Sequence, residues 1–142
     1  MPRPFGDAYR NIRVCVDLCR NGEVSGQFGF PLLSAPDHPF RSLTEFLILA
    51  DRAMDAAGYP QSFTDKRSFR PEAPLPPAPE VPRRETGKTA TFDILVVYRQ
   101  HSSWQGTVHW FEGGRQLSFR SALELLRLMD SALSEIPGGD EA

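Results

Sequence analysis

Cysteine is nearly absent from this chain. With only Cys15 and Cys19 in 142 residues, no disulfide framework is available, and a reducing cytosol is the expected setting. Neither sign of charge dominates. Sixteen basic against eighteen acidic groups give a formal net charge of −2, which argues against nucleic-acid binding by bulk electrostatics. No window approaches the roughly 18 consecutive apolar residues of a membrane helix, so no membrane association is expected. The opening MPRPFGDAYRNIRV has no basic patch followed by an apolar run, and a secretory leader is not expected. Histidine is scarce as well. His38, His101 and His109 sit in no metal-ligand spacing, no glycine-rich phosphate loop is present, and neither cofactor nor catalytic set is expected.

Proline, by contrast, is plentiful. Seven of thirteen prolines lie between Pro60 and Pro82, and the stretch from Pro74 to Pro79 cannot be a helix interior or a central strand. An extended, stiff spacer is expected there. Charge divides the chain at the same place. Residues 1–58 carry 6 basic and 7 acidic groups, residues 59–90 carry 6 and 4, and residues 91–142 carry 4 and 7. The chain thus reads as a first unit (1–58), a basic proline-rich linker (59–90) and a second unit (91–142). Pro79-Glu-Val-Pro82-Arg-Arg84 fits a PxxPxR ligand pattern, but such patterns arise by chance in any proline-rich stretch, and a spacer is the preferred reading.

The two units match each other. Offset by 79, residues 40–54 (FRSLTEFLILADRAM) fall on 119–133 (FRSALELLRLMDSAL) with eight identities in fifteen positions. Offset by 80, residues 12–18 fall on 92–98 and Gly26 falls on Gly106. Each unit reads as strand, turn, strand, helix. Ile12, Val14, Val16 and Leu18, and likewise Phe92, Ile94, Val96 and Tyr98, alternate as the inward set of a half-buried strand. On that alternation Cys15 and Cys19 share the outward face. Ser42…Glu45 and Ser121…Glu124 are capping boxes, and Gly58 and Pro137-Gly138 close the helices. Asp51 and Asp130 read as solvated helix positions. The expected architecture is α+β: a duplicated ββα-ββα with a four-stranded, mainly antiparallel sheet and two helices on one face, sharing one core. Gln116–Phe119 could add a short further strand.

Where the two units differ, function has room. The second hairpin gathers Arg99, His101, Trp104, Gln105, His109 and Trp110, an aromatic and arginine composition typical of binding hot spots. Leu95, Val97, Leu123 and Leu128 add apolar surface beyond one core face, which points to an additional layer or a partner. A non-catalytic interaction or adaptor module is therefore expected, binding a protein partner through this hairpin, self-associating as a homodimer, or both. The alternative is single-stranded nucleic-acid or RNA binding on the open sheet face, with Tyr98, Trp104, Trp110 and Arg99 as platform.

The tract from Arg99 to Leu133 resembles a group of short bacterial proteins with no established activity. They carry RQ-x-x-SWQG-x-x-x-W followed by FRS-x-LEL. Arg99, Gln100, Ser103, Trp104, Gln105, Gly106 and Trp110 match the first part, and Phe119, Arg120, Ser121, Leu123, Glu124 and Leu125 the second. The resemblance implies a bacterial, cytosolic setting and no particular chemistry. The first unit lacks the SWQG wording.

Overall fold

The computed structural model describes residues 8–20, 23–58, 60, 69, 81–99 and 103–135. Six strands and two helices follow in the order β1 (Asn11–Arg20), β2 (Glu23–Gly29), β3 (His38–Phe40), α1 (Leu43–Ala57), β4 (Ala90–Tyr98), β5 (Gln105–Trp110), β6 (Arg115–Phe119) and α2 (Ala122–Ser134). They form one sheet in the order β3-β2-β1-β4-β5-β6, and every neighbouring pair is antiparallel.

This corrects the four-stranded ββα-ββα expectation. Three strands, not two, precede each helix, and the sheet has six strands. The added strands are the two edges. β3 is three residues long and contains Pro39, whereas β6 is exposed at four of its five positions. Edge strands are held by backbone pairing more than by buried side chains, so their hydrophobic pattern is faint.

The long strands β1 and β4 meet at the centre, with Ile12 opposite Ile94 and Val14 opposite Phe92. Their inward residues share one core with Phe46, Ala50 and Met54 of α1 and Leu125, Met129 and Leu133 of α2. The aromatic rings interlock within it. Phe28 meets Phe46 edge to face at 5.2 Å, and Phe46 meets Trp104 in the same way at 6.2 Å.

Both helices begin at the expected serines. Ser42 Oγ accepts the Glu45 amide and Ser121 Oγ the Glu124 amide, each at 3.0 Å. The two glutamates reach back one residue further than a capping box requires. Glu45 Oε1 takes the Arg41 amide at 2.8 Å and Glu124 Oε1 the Arg120 amide at 2.7 Å. Gly58 closes α1 in the left-handed region (φ 75°), while α2 ends at Glu135. The expected stop at Pro137-Gly138 lies outside the described residues.

A register shift in each hairpin overturns the simple alternation. It falls between Val16 and Leu18 in β1 and between Val96 and Tyr98 in β4. An extra residue there flips everything beyond it to the other face. Leu18 and Tyr98, expected inside, are therefore exposed. Cys19, expected outside beside Cys15, joins the core, while Cys15 stays on the opposite face. Neither cysteine is in a disulfide.

Candidate functional site

The shift in β4 carries Arg99 to the helix side of the sheet, where its side chain is only 3% exposed. Its guanidinium is satisfied by α1 and the residues just after it. Nη1 donates to Asp51 Oδ1 at 3.0 Å and to Asp55 Oδ1 at 2.7 Å, and Nε donates to the Pro60 carbonyl at 2.7 Å. Trp104 enters from the start of β5, and its Nε1 donates to the same Asp51 Oδ1 at 2.9 Å. Two residues of the second hairpin thus converge on one carboxylate of the first unit's helix. Asp51 is a joint between units, not the solvated position expected; Asp130 is exposed.

The other face of the sheet is divided. Over the first unit, residues 81–89 lie as a strap. Val81 bridges Asp37, whose amide donates to the Val81 carbonyl at 3.0 Å. Arg83 donates to the Leu33 and Pro31 carbonyls, each at 2.7 Å. Asp17 Oδ1 accepts from Arg84 Nη2 at 2.5 Å and from the Lys88 amide at 3.1 Å. Cys15 Sγ lies beneath, donating to the Arg84 carbonyl at 3.7 Å. Burial pushes the Cys15 thiol up to about 11, so it is not a ready nucleophile. A polar cleft of about 340 Å³ opens between strap and sheet, lined by Arg13, Arg83, Arg84, Asp37 and Glu85. Arg13 is already held by Asp93, through Nε at 2.8 Å and Nη2 at 2.9 Å, and this pairing raises its pKa.

The second unit has no such cover among the described residues. His109 shares its outer face with Phe111, ring centroids 4.9 Å apart, and Leu95 is partly exposed there. Gln105 is half-buried. On the helix side, a groove of about 90 Å³ runs between β6 and α2, lined by Phe92, Val108, Trp110, Leu117, Leu128 and Ala132 among others. At the corresponding place in the first unit, the larger Phe28 stands for Val108 and stacks on His38 at 5.4 Å, while Tyr9 packs on Phe30 at 4.9 Å. Trp110 is half-buried with its Nε1 enclosed and without a partner among the described residues, and Arg115 lies 5.5 Å over its ring. Gly113 permits this placement. A Cβ on it would stand 2.1 Å from the indole.

Of the six hairpin residues expected to bind a partner, Arg99 and Trp104 come together inside the molecule. Gln105, His109 and Trp110 lie along β5 on both sides of the sheet, and His101 lies outside the described residues. The short further strand offered at Gln116–Phe119 is present as β6; the groove beside it, with Leu117 54% exposed, went unread.

Among the described residues, no group of three His, Cys, Asp or Glu side chains could hold a metal ion. No described helix is long and apolar enough to cross a membrane. Compared with protein families, curated proteins and solved structures, the chain matches none.

Proposed function

We propose that this chain is a non-catalytic interaction module whose docking element is the β6 edge with its adjoining groove. One contrast carries the reading. The sheet has two edges, and among the described residues only one is guarded. β3 is cut to three residues, contains Pro39, and is flanked by the Asp37–Val81 bridge. β6 has five residues and no proline, and no described segment covers it. Proteins blunt edges that must not pair, and an open edge beside an apolar groove is how extended segments are taken up by strand addition. Leu117 and Trp110 would supply the side-chain pocket.

For the reading as a platform for single-stranded nucleic acid, only Tyr98 of the four platform residues is exposed. Trp104 and Arg99 are buried, and Trp110 faces α2.

The test compares wild type with Ser118→Pro, which removes an edge amide, and with Trp110→Ala, which empties the groove wall. Proteins co-purifying with the wild type are identified, purified and titrated against all three. Binding should weaken at least about tenfold in each variant, equivalent to about 1.4 kcal/mol. Partners retained undiminished by both variants would overturn the assignment.

A further inference from the structure

We infer that the occupant of the β6 edge is a second copy of this chain, joined antiparallel about Leu117 so that the sheet continues across a two-fold axis. This rests on the reading of β6 as a docking edge and names what docks there.

In an antiparallel pair, directly opposed residues alternate between exchanging hydrogen bonds and exchanging none. The Phe111 amide donates to the Thr91 carbonyl at 3.0 Å, so the odd-numbered residues of β5 bond toward β4. Its even-numbered residues therefore bond toward β6. Gly106, Val108 and Trp110 stand opposite Phe119, Leu117 and Arg115. What remains on β6 are the amides and carbonyls of Gln116 and Ser118, which face away from the sheet.

Those two residues suit each other. With the two-fold axis at Leu117, Gln116 of one copy stands opposite Ser118 of the second copy, and the reverse. Both outward residues then exchange both of their hydrogen bonds, four in all, within β6 itself. Leu117 meets Leu117 of the second copy in the non-bonded position, where side chains approach most closely. That side chain is 54% exposed in the single chain and borders the groove. Polar Gln116 and Ser118 share the other face, and Arg115 stands opposite Phe119, so no like charges are opposed. A closed two-fold contact requires this self-complementarity, whereas a foreign strand does not. The β3 edge, with Pro39, offers no equivalent.

The full chain is examined by light scattering over a concentration series, together with Leu117→Cys and Ser118→Cys. Opposed Cα atoms in a non-bonded antiparallel pair lie about 4.5 Å apart, inside the disulfide range of about 4.4–6.8 Å. Two Ser118 residues would be offset by two positions and out of reach. The native thiols Cys15 and Cys19 are buried and do not compete. The mass should rise from the 15.9 kDa monomer toward twice that value. Mild oxidation should convert Leu117→Cys, and not Ser118→Cys, to a covalent dimer. Ser118→Pro should be monomeric with unchanged circular dichroism; should it fail to fold, Leu117→Lys sets two charges on the axis and should be monomeric instead.

A wild type monomeric at every concentration overturns the inference, as does a dimer in which Leu117→Cys does not cross-link. If a monomeric wild type still loses a different protein on Ser118→Pro, the docking-edge reading stands and only the second copy falls. If nothing depends on Ser118 or Trp110, both fall.

Discussion

Trp104 Nε1 and Arg99 Nη1 both donate to one oxygen, Asp51 Oδ1, at 2.9 and 3.0 Å. The second hairpin is thereby pinned to the helix of the first unit. Removing Arg99 takes the guanidinium from two carboxylates that are each about 70% enclosed, with side-chain exposures of 28% and 30%. Because solvent still reaches those carboxylates, Arg99→Ala should cost about 2–3 kcal/mol, at or below the range for breaking a fully buried pair. Trp104→Phe keeps the edge-to-face contact with Phe46 and should cost about 1 kcal/mol for the lost hydrogen bond. The double variant should deviate from additivity by at least about 0.5 kcal/mol in urea unfolding. Strict additivity would mean that the shared oxygen couples nothing.

Gly26 and Gly106 sit opposite the register shifts, where neighbouring backbones approach closely. A Cβ would stand 1.9 Å from the Cys15 carbonyl oxygen in one and 1.8 Å from that of Leu95 in the other. Rigid backbone cannot yield as a side chain can. Gly26→Ala and Gly106→Ala should each destabilise by about 3 kcal/mol or more, the upper end for overpacking. Gly58→Ala, which meets open space but keeps a left-handed φ of 75°, should cost about 1 kcal/mol. Thermal unfolding distinguishes the two groups.

Asp17 anchors the strap through Arg84 and the Lys88 amide. Its side-chain contacts are lost in Asp17→Ala, at about 1–2 kcal/mol of local stability. Opening of residues 81–89 uncovers Cys15, so labelling of that thiol should accelerate about 5–30-fold. Mass spectrometry after a timed alkylation pulse measures this. Unchanged labelling of Cys15 would show that the strap is held from elsewhere.

Cys15 also predicts an alkaline response. Burial raises its folded pKa from 9.0 to about 11. Between those values the folded thiol keeps its proton while the unfolded one has lost it. The associated stability is complete below pH 9 and is lost as pH rises toward 11. The stability advantage of wild type over Cys15→Ala should therefore shrink across that window. A constant difference from pH 8 to 11 would refute the shift.

Serines 42 and 121 announced both helix starts, because an N-cap is a local hydrogen bond among four consecutive residues. Phe46, Ala50, Met54 and Leu125, Met129, Leu133, the buried stripes of the two helices, follow a helical period within a continuous segment, which is local for the same kind of reason. Leu18, Tyr98 and Cys19 were misplaced, since one inserted residue leaves composition untouched and reverses every side chain after it. Asp51 read as solvated because its partners are 48 and 53 residues away. The hairpin's hot-spot composition was visible in Arg99 and Trp104, but composition does not say which way a side chain turns.

Sequence by itself determined the local elements: where helices begin, which strands alternate, and that a proline-rich stretch separates two matching halves. These rest on neighbours within a few residues, whose spacing is set by covalent geometry. Tertiary structure decided the rest. It completed the sheet to six strands, turned Arg99 and Trp104 inward against Asp51, laid residues 81–89 across Cys15, and left β6 uncovered among the described residues. Each of these depends on contacts between distant segments, and no local period encodes them.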